Sequence, residues 1–483
     1  QGDSGGGTIV PVCTQPVQAV DTSKPTTVVG TGPGTCSEAL LSSAVAKGGI
    51  ITFNCGGAAT IAVTKQIDIP AKIATTIDGG GVITLDGGGK TRIFRANGGD
   101  YRKNKTVLSL QNIALVNGNS QSAGTPIPTA PSPCSQGWQT DGGGGAILVN
   151  DAVLHVVNVT FKGNKAASKG PDVAGGAIYM TGSLGLVVAK SHFDENSASN
   201  GGAIGCLNSD LAIVDSEILS NQATGSGANN IDTSKCSVNG GEIGNGGNGG
   251  AISIDGGSDG ILKICGTRFA GNKGGNGALG GAVFRTADIS SQESDFDKCT
   301  FDSNTSASAG ALYFHNAKPL KNTASTFSNN SATGSGAIQV DATVLDLTNV
   351  TFAGNKATKG LGGAIATFGT GGSLLNCTFK DNQANGGSGL FAAAIAGFAS
   401  LSIRNTIFVD NTSQDCGSPM SCSGGSSNTG GTNLQWPTKH VVCDNADTAC
   451  APGTTFANAN LDALADNGGP TLTAKPKTGS PAI

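Results

Sequence analysis

Val344-Leu345-Asp346-Leu347-Thr348-Asn349-Val350-Thr351-Phe352-Ala353-Gly354-Asn355, followed shortly by Gly362-Gly363-Ala364-Ile365, contains the two phrases that decide the fold. The Phe-x-x-Asn phrase recurs as Phe161/Asn164, Phe193/Asn196, Phe269/Asn272, Phe301/Asn304, Phe327/Asn330, Phe352/Asn355, Phe379/Asn382 and Phe408/Asn411, and Ile218/Asn221 fills one gap. Gly-Gly-Ala-Ile begins at Gly144, Gly175, Gly201, Gly249 and Gly362, with looser copies at Gly280, Ala309 and Ser335. Recurrence of this kind marks a solenoid.

Successive Phe-x-x-Asn marks are 32, 25, 51, 32, 26, 25, 27 and 29 residues apart, and the 51 reads as one period plus an insertion. Between marks lie short alternating runs such as Leu154-His155-Val156-Val157-Asn158-Val159-Thr160-Phe161, each ending at Gly or Asn, which is strand text. Two or three short strands in a period of about twenty-five suit one coil of a parallel β-helix, and no recurring helix is present to suit other repeat folds. The Phe is expected to point inward and stack on the next ring about 4.8 Å away. The Asn is expected at a turn, tolerating left-handed backbone and bonding the Asn above and below. The paired Gly supply positive φ at the opposite corner. Cys299 and Cys377, two residues before Phe, read as buried thiols.

Residues 1–49 read as an N-terminal segment with a capping helix over Ser37–Ala46, closed by Lys47-Gly48-Gly49. Residues 50–411 read as the solenoid, about a dozen rungs long, and 412–483 as a loop-rich, disulfide-bearing end. Gly-, Ser-, Asn- and Pro-rich insertions are expected near 120–141, 223–248 and 412–440.

The two phrases resemble the repeats of polymorphic outer-membrane proteins and other bacterial surface β-helices. Cys36-Ser37-Glu38-Ala39-Leu40, Ile77-Asp78-Gly79-Gly80-Gly81, Leu464-Ala465-Asp466-Asn467-Gly468-Gly469-Pro470-Thr471 and Gly479-Ser480-Pro481-Ala482-Ile483 are similar to the opening and closing text of choice-of-anchor type exported β-helix proteins. The resemblance implies an all-β, right-handed parallel β-helix of pectin-lyase-like form, exported to the cell surface. It implies no particular chemistry.

With 77 Gly, 13% charged residues and a net charge of −4, the chain lacks the basic footprint of a nucleic-acid binder. No apolar run is long enough for a membrane-spanning helix, and Gln1-Gly2-Asp3-Ser4 reads as a mature terminus after signal-peptide removal. Thirteen Cys, with the sequence neighbours Cys36/Cys55, Cys416/Cys422 and Cys443/Cys450 as candidate disulfides, suit an oxidising compartment. No Cys-x-x-Cys is present, so zinc and haem attachment find no support, and no cofactor is implied.

Chemistry is sparsely written. The Gly-His-Gly and Arg-x-Lys phrases of polygalacturonase-type hydrolases are absent, and His155, His192, His315 and His440 stand apart in structural positions. One basic cluster, Lys90, Arg92, Arg95, Tyr101, Arg102, Lys103 and Lys105, has the residue types of a polysaccharide lyase, but it equally suits a solvated strand edge and loop. Gly89-Lys90-Thr91 is not a phosphate loop, because Thr84 stands where the first Gly belongs. Asp255 and Asp259 lack the nonapeptide repeat of calcium-binding solenoids and read as turn residues. Trp138 and Trp436 lie in insertion text, where an indole either contacts a glycan or pins its loop. Three functions stay open: a non-enzymatic surface scaffold, adhesive or fibre-forming by self-association of unpaired end strands; a secreted lyase or glycoside hydrolase; and a passive module for cell-surface glycans.

Overall fold

The computed structural model describes residues 11–103, 105–120, 142–170, 173–227, 246–255, 260–287, 293–317, 319–386, 391–397, 399–423 and 427–483. Nearly all of the regular secondary structure is parallel strand, coiled into a β-helix. One coil runs through Ile178–Thr181, Leu186–Ala189, His192–Asp194 and Ser197–Ala198 before the next starts at Ile204–Leu207. The first strands of the coils make one face, an eleven-stranded sheet; the second and third share a 25-stranded sheet. Two-residue strands such as Gln222–Ala223 and Thr305–Ser306 form a narrow third face.

Three inward columns hold the rungs in register. Phe161, Phe193, Ile218, Phe269, Phe301, Phe327, Phe352, Phe379 and Phe408 are register partners in turn, all fully buried. Phe301 and Phe327 stack at 4.6 Å and Phe352 and Phe379 at 4.8 Å, the rung spacing itself. In the second column, the Asn304 Nδ2 donates to Asn330 Oδ1 at 3.0 Å and to Phe269 O at 3.0 Å, while its Oδ1 accepts from the backbone N–H and Nδ2 of Asn272. The same four-bond pattern is repeated at Asn330, Asn355 and Asn382, so these buried amides are satisfied.

Two corrections concern this column. The expectation that every ladder Asn bonds an Asn on both sides fails at its ends, Asn164 and Asn411. Asn164 donates to Asn196 Oδ1 at 2.9 Å and to Leu115 O at 3.0 Å, but its Oδ1 accepts from the Gly118 N–H at 2.8 Å. Leu115 pairs with Phe161, so Gly118 holds the ladder offset in the preceding coil, and Gly has no amide side chain to offer. The Asn411 Oδ1 accepts from the N–H and Nδ2 of Asn382, both at 3.0 Å, and its Nδ2 donates to Phe379 O at 3.0 Å. Gln435 pairs with Phe408 in the following coil, which puts Thr438 at the ladder offset and leaves Asn411 no further Asn. The second correction is the backbone: the left-handed residue is the one before the ladder Asn, at Asn164 and Asn411 as elsewhere. Gly163 (φ 63), Glu195 (φ 55), Ser220 (φ 55), Ser303 (φ 56), Asp381 (φ 56) and Asp410 (φ 56) are examples. That preceding residue turns the corner, which leaves the Asn side chain free to point inward.

The third column is the second Gly of Gly-Gly-Ala-Ile. A Cβ on Gly310 would lie 2.0 Å from Gly336 O, and one on Gly336 would lie 1.7 Å from Gly363 O. Positive φ occurs at the first Gly of the phrase in the earlier coils, as at Gly175 (φ 70) and Gly201 (φ 51), and never at the second. In the later coils the first position is not left-handed, at Gly362 as at Ala309 and Ser335, so a residue with a Cβ can stand there. The column ends at Ala393, where Ala392-Ala393-Ala394-Ile395 replaces the phrase.

Helix α1, Glu38–Lys47, is N-capped by Ser37, stops at Gly48 (φ 67) and buries Leu41, Ala44 and Val45 at the N-terminal end of the core. At the other end, Thr429–Gly431 and Asn433–Trp436 continue the parallel pairing on Ser402–Arg404 and Ile407–Val409. Thr454–Phe456 then adds to Asn433–Gln435. The expected loop over 412–440 therefore contains a partial rung, whose short Asn433–Trp436 run, between a Gly-rich segment and Pro437, hides the alternation. Disulfides follow the coil rather than the local sequence. Cys36–Cys55 forms as expected, but Cys416 joins Cys443 and Cys422 joins Cys450, correcting the pairings Cys416/Cys422 and Cys443/Cys450. Their separations of 27 and 28 residues are one coil, so the partners meet on neighbouring rungs. Cys206, Cys299 and Cys377 are buried thiols, and burial pushes each up to about 12. Cys134 and Cys236 lie outside the described residues.

Both terminal segments fold back along the outside. Cys13–Cys265 ties the N-terminal arm 252 residues away, Val12 N–H donates to Asp215 Oδ1 at 2.9 Å, and Thr22 Oγ1 donates to Asp78 Oδ2 at 2.7 Å. From the other end, the hairpin of Leu461–Ala465 and Thr473–Pro476 reaches back until Thr471 Oγ1 donates to Ala324 O. Burial opposes charge on Asp78, but hydrogen bonds from Thr22, Gly80, Gln111 and Asn112 outweigh it and hold the carboxyl below its ordinary 3.8. A folded-state value below the unfolded one stabilises the arm fully above pH 3.8 and less as pH falls through the folded value. Hydrogen exchange at residues 16–26, corrected for intrinsic pH dependence, should therefore accelerate below about pH 3.8, and Asp78→Asn should flatten that step.

The columns predict graded costs. Asn304→Ala strips acceptors from two Asn272 donors and should cost roughly 2–5 kcal/mol. Gly336→Ala should cost about 1–3 kcal/mol by overpacking, whereas Gly431→Ala, with open space around it, should stay within about 0.5 kcal/mol. Chemical unfolding midpoints check all three.

Candidate functional site

The basic cluster is largely tied into the framework. Arg92 is buried and donates to Gly143 O and Gly144 O, both at 2.9 Å, and to Gln66 Oε1 at 2.7 Å. Arg102 donates to Asn208 O at 2.7 Å and lies 3.7 Å from Asp210. Lys105 and Lys103 lie 3.3 and 3.8 Å from Asp100; Lys105 above all holds that carboxyl low. Arg95 stands on the outward row of Phe94–Asn97, half-buried between Asp68 and Leu148, and its Nε has no hydrogen-bond partner among the described residues. Tyr101 is half exposed and packs by Gly182; Lys90 is exposed on a separate turn. Asp151, raised by burial and then by Asp100, is the nearest carboxyl with protonation favoured. Asp100, the carboxyl whose charge adds to that shift, is itself ion-paired with Lys105 and Lys103.

The histidines also sit apart. His192 Nδ1 lies 3.1 Å from Glu217, and the hydrogen bond to His192 holds that carboxyl low. Burial lowers His155, and His440 is buried in the C-terminal cap. Trp436 is half-buried against Val409, Ala459, Leu461 and Ala474, where it anchors the C-terminal hairpin; Trp138 and Asp259 lie outside the described residues. Buried Arg285 replaces an apolar inward residue and donates to Ser294 Oγ at 2.9 Å and Gly260 O at 2.6 Å. Burial brings its guanidinium down to about 10. Lys263, Asp295, Lys321 and Asp346 alternate in register on one outward row, a self-neutralising charge ladder. Among the described residues, no group of three or more His, Cys, Asp or Glu is placed to hold a metal, and no helix is long and apolar enough to cross a membrane.

The third face has a different character. Its outward row runs Lys165, Ser197, Gln222, Lys273, Thr305, Ser331, Lys356, Gln383 and Thr412 in continuous register. Each residue directly follows a ladder Asn, from Asn164 at one end to Asn411 at the other. The row is legible as Phe-x-x-Asn-Lys in three coils, a phrase whose Phe and Asn go to the core while its Lys stays outside. In its middle, Gln222 to Ser226, Lys273 to Gly277, Thr305 to Ala307 and Thr333 line an open groove of about 540 Å³. Gln222, Thr224, Ser226, Lys273, Asn276, Thr305 and Thr333 are exposed or half-exposed there. Among the described residues, no carboxylate or aromatic ring lines it.

Comparison with known proteins adds three findings. Residues 158–181 match the Chlamydia polymorphic membrane protein repeat, a span holding one Phe161/Asn164 mark and one Gly175-Gly176-Ala177-Ile178. The catalytic domain of a GH87 alpha-1,3-glucanase, solved in complex with tetrasaccharides, is similar at TM-score 0.38 and 11% identity, covering 81% of this chain and 70% of that one. PfbA, a surface adhesin of Streptococcus pneumoniae, is similar at TM-score 0.27 and 9% identity, covering 93% and 97%. No curated protein matches the chain.

Proposed function

We propose that the protein is an exported, cell-surface β-helix that works as a non-enzymatic adhesive scaffold. The observation that carries this reading is the fate of the one cluster with catalytic residue types: Arg92, Arg102, Lys103 and Lys105 hold backbone carbonyls or neighbouring carboxylates. General acid–base work needs a group in hydrogen-bond reach of substrate with a matched partner, and these cations are committed elsewhere. The match of residues 158–181 to a membrane-protein repeat supports placement at the cell envelope. Adhesive display is favoured over fibre formation, because the end strands Thr27–Val29 and Thr454–Phe456 offer three residues each for edge pairing.

Incubation of the purified chain with acidic and neutral polysaccharides should release neither reducing ends nor unsaturated sugars above a heat-killed blank. Product formation lost in Arg95→Ala or Tyr101→Phe would instead establish the lyase reading. Light scattering at high concentration should give a monomer mass, and antibody should label intact cells of the source organism.

A further inference from the structure

The third face is a basic strip on an acidic protein. Its described residues after the ladder Asn carry Lys165, Lys169, Lys273, Lys356 and Lys359 and no carboxylate as far as the coil of Asn382, with Asp415 following Thr412 in the last coil, while the chain as a whole has a net charge of −4. Asp172, Asp232 and Glu242 of the same stretches lie outside the described residues. None of the five lysines enters an ion pair among the described residues, although Lys162 and Lys380 around the corner both do. Three of the five share a single row, and Lys165, Lys273 and Lys356 are each three rungs apart, about 14 Å at sheet spacing.

We propose that this strip binds a linear anionic polysaccharide, a uronate or sulfated glycan lying along the solenoid axis, with the groove at Lys273 as its central subsite. The groove's volume of about 540 Å³ lies within the ordinary range of ligand sites. Gln222, Thr224, Asn276, Thr305 and Thr333 present amides and hydroxyls that can donate to and accept from sugar hydroxyls. The rung spacing is close to the advance of one sugar in an extended chain, so successive rungs meet successive sugars. A single-stranded nucleic acid is the weaker fit, because its bases need aromatic platforms and none lines the groove among the described residues. The inference deepens the scaffold reading by naming what the scaffold holds.

The test is fluorescence anisotropy of the full chain with labelled polygalacturonate, chondroitin sulfate, neutral dextran and oligo-dT. Binding to at least one anionic glycan is expected, weakening about fivefold or more from 50 to 300 mM salt, with dextran unbound. Lys165→Gln/Lys273→Gln/Lys356→Gln should weaken it about tenfold, whereas Lys24→Gln/Lys65→Gln/Lys475→Gln, with the same charge change elsewhere, should not. No glycan binding, equal losses in the two triple variants, or oligo-dT binding as tight as the glycans would overturn the proposal. The polymer's size after incubation separates the two readings: intact but unbound glycan rejects this site alone, and shortened glycan rejects the non-enzymatic scaffold.

Discussion

The hydrogen bond from one ladder Asn to the next is the constraint on which the structure depends. Asn164, Asn196, Asn221, Asn272, Asn304, Asn330, Asn355 and Asn382 each donate an amide N–H to the Oδ1 of the following rung, and Asn411 receives the last. A buried amide left unpaired costs about 1–3 kcal/mol, so a slip of one residue at any rung would lose bonds at both neighbours. The column therefore sets register for the Phe stack beside it, and Ile218 can interrupt the rings without interrupting the coil because Asn221 keeps its place. The Gly column acts from the opposite corner by steric exclusion: no side chain fits where Gly202, Gly250 and Gly281 meet the next carbonyl.

Much of this is legible in the sequence because each column repeats a residue type at a fixed offset. The Phe and Asn columns, α1, Cys36–Cys55 and the buried Cys299 and Cys377 need no long-range information. What is not legible depends on which rung lies next to which. Cys416 and Cys443 are 27 residues apart yet adjacent in space, and only the coil makes them neighbours. Cys13–Cys265, bridging 252 residues, leaves no trace in either local sequence. Arg92 reads as a free cation in a basic run; its burial against Gly143 and Gly144 follows from a coil more than fifty residues away. The Asn phrase is legible for its hydrogen bonding but not for its backbone, since the left-handed turn belongs to the residue before it. Nor does the phrase announce its own limits: Asn164 and Asn411 look like every other copy, and only Gly118 and Thr438 on the adjoining coils make them ends.

Functional capacity in such a rod lies in side chains the columns do not consume. Inward rows are committed to packing, and the terminal arms cover part of the outside through Cys13–Cys265 and Thr471. The 25-stranded sheet balances its outward charges in rows such as Lys263, Asp295, Lys321 and Asp346. The third face carries five lysines that enter no ion pair among the described residues, three of them one residue after the amides that build the core. Register of the core thus becomes spacing of charge on the surface, and a regular solenoid presents a regular array.

The claim that the Asn ladder governs the fold is tested most directly by hydrogen exchange of the backbone amides of Asn272, Asn304, Asn330, Asn355 and Asn382, each bonded to the next rung's Oδ1. These five should form one slowest-exchanging class, opening together at a common free energy. Exchange rung by rung, or as fast as the exposed corner at Thr333, would contradict it.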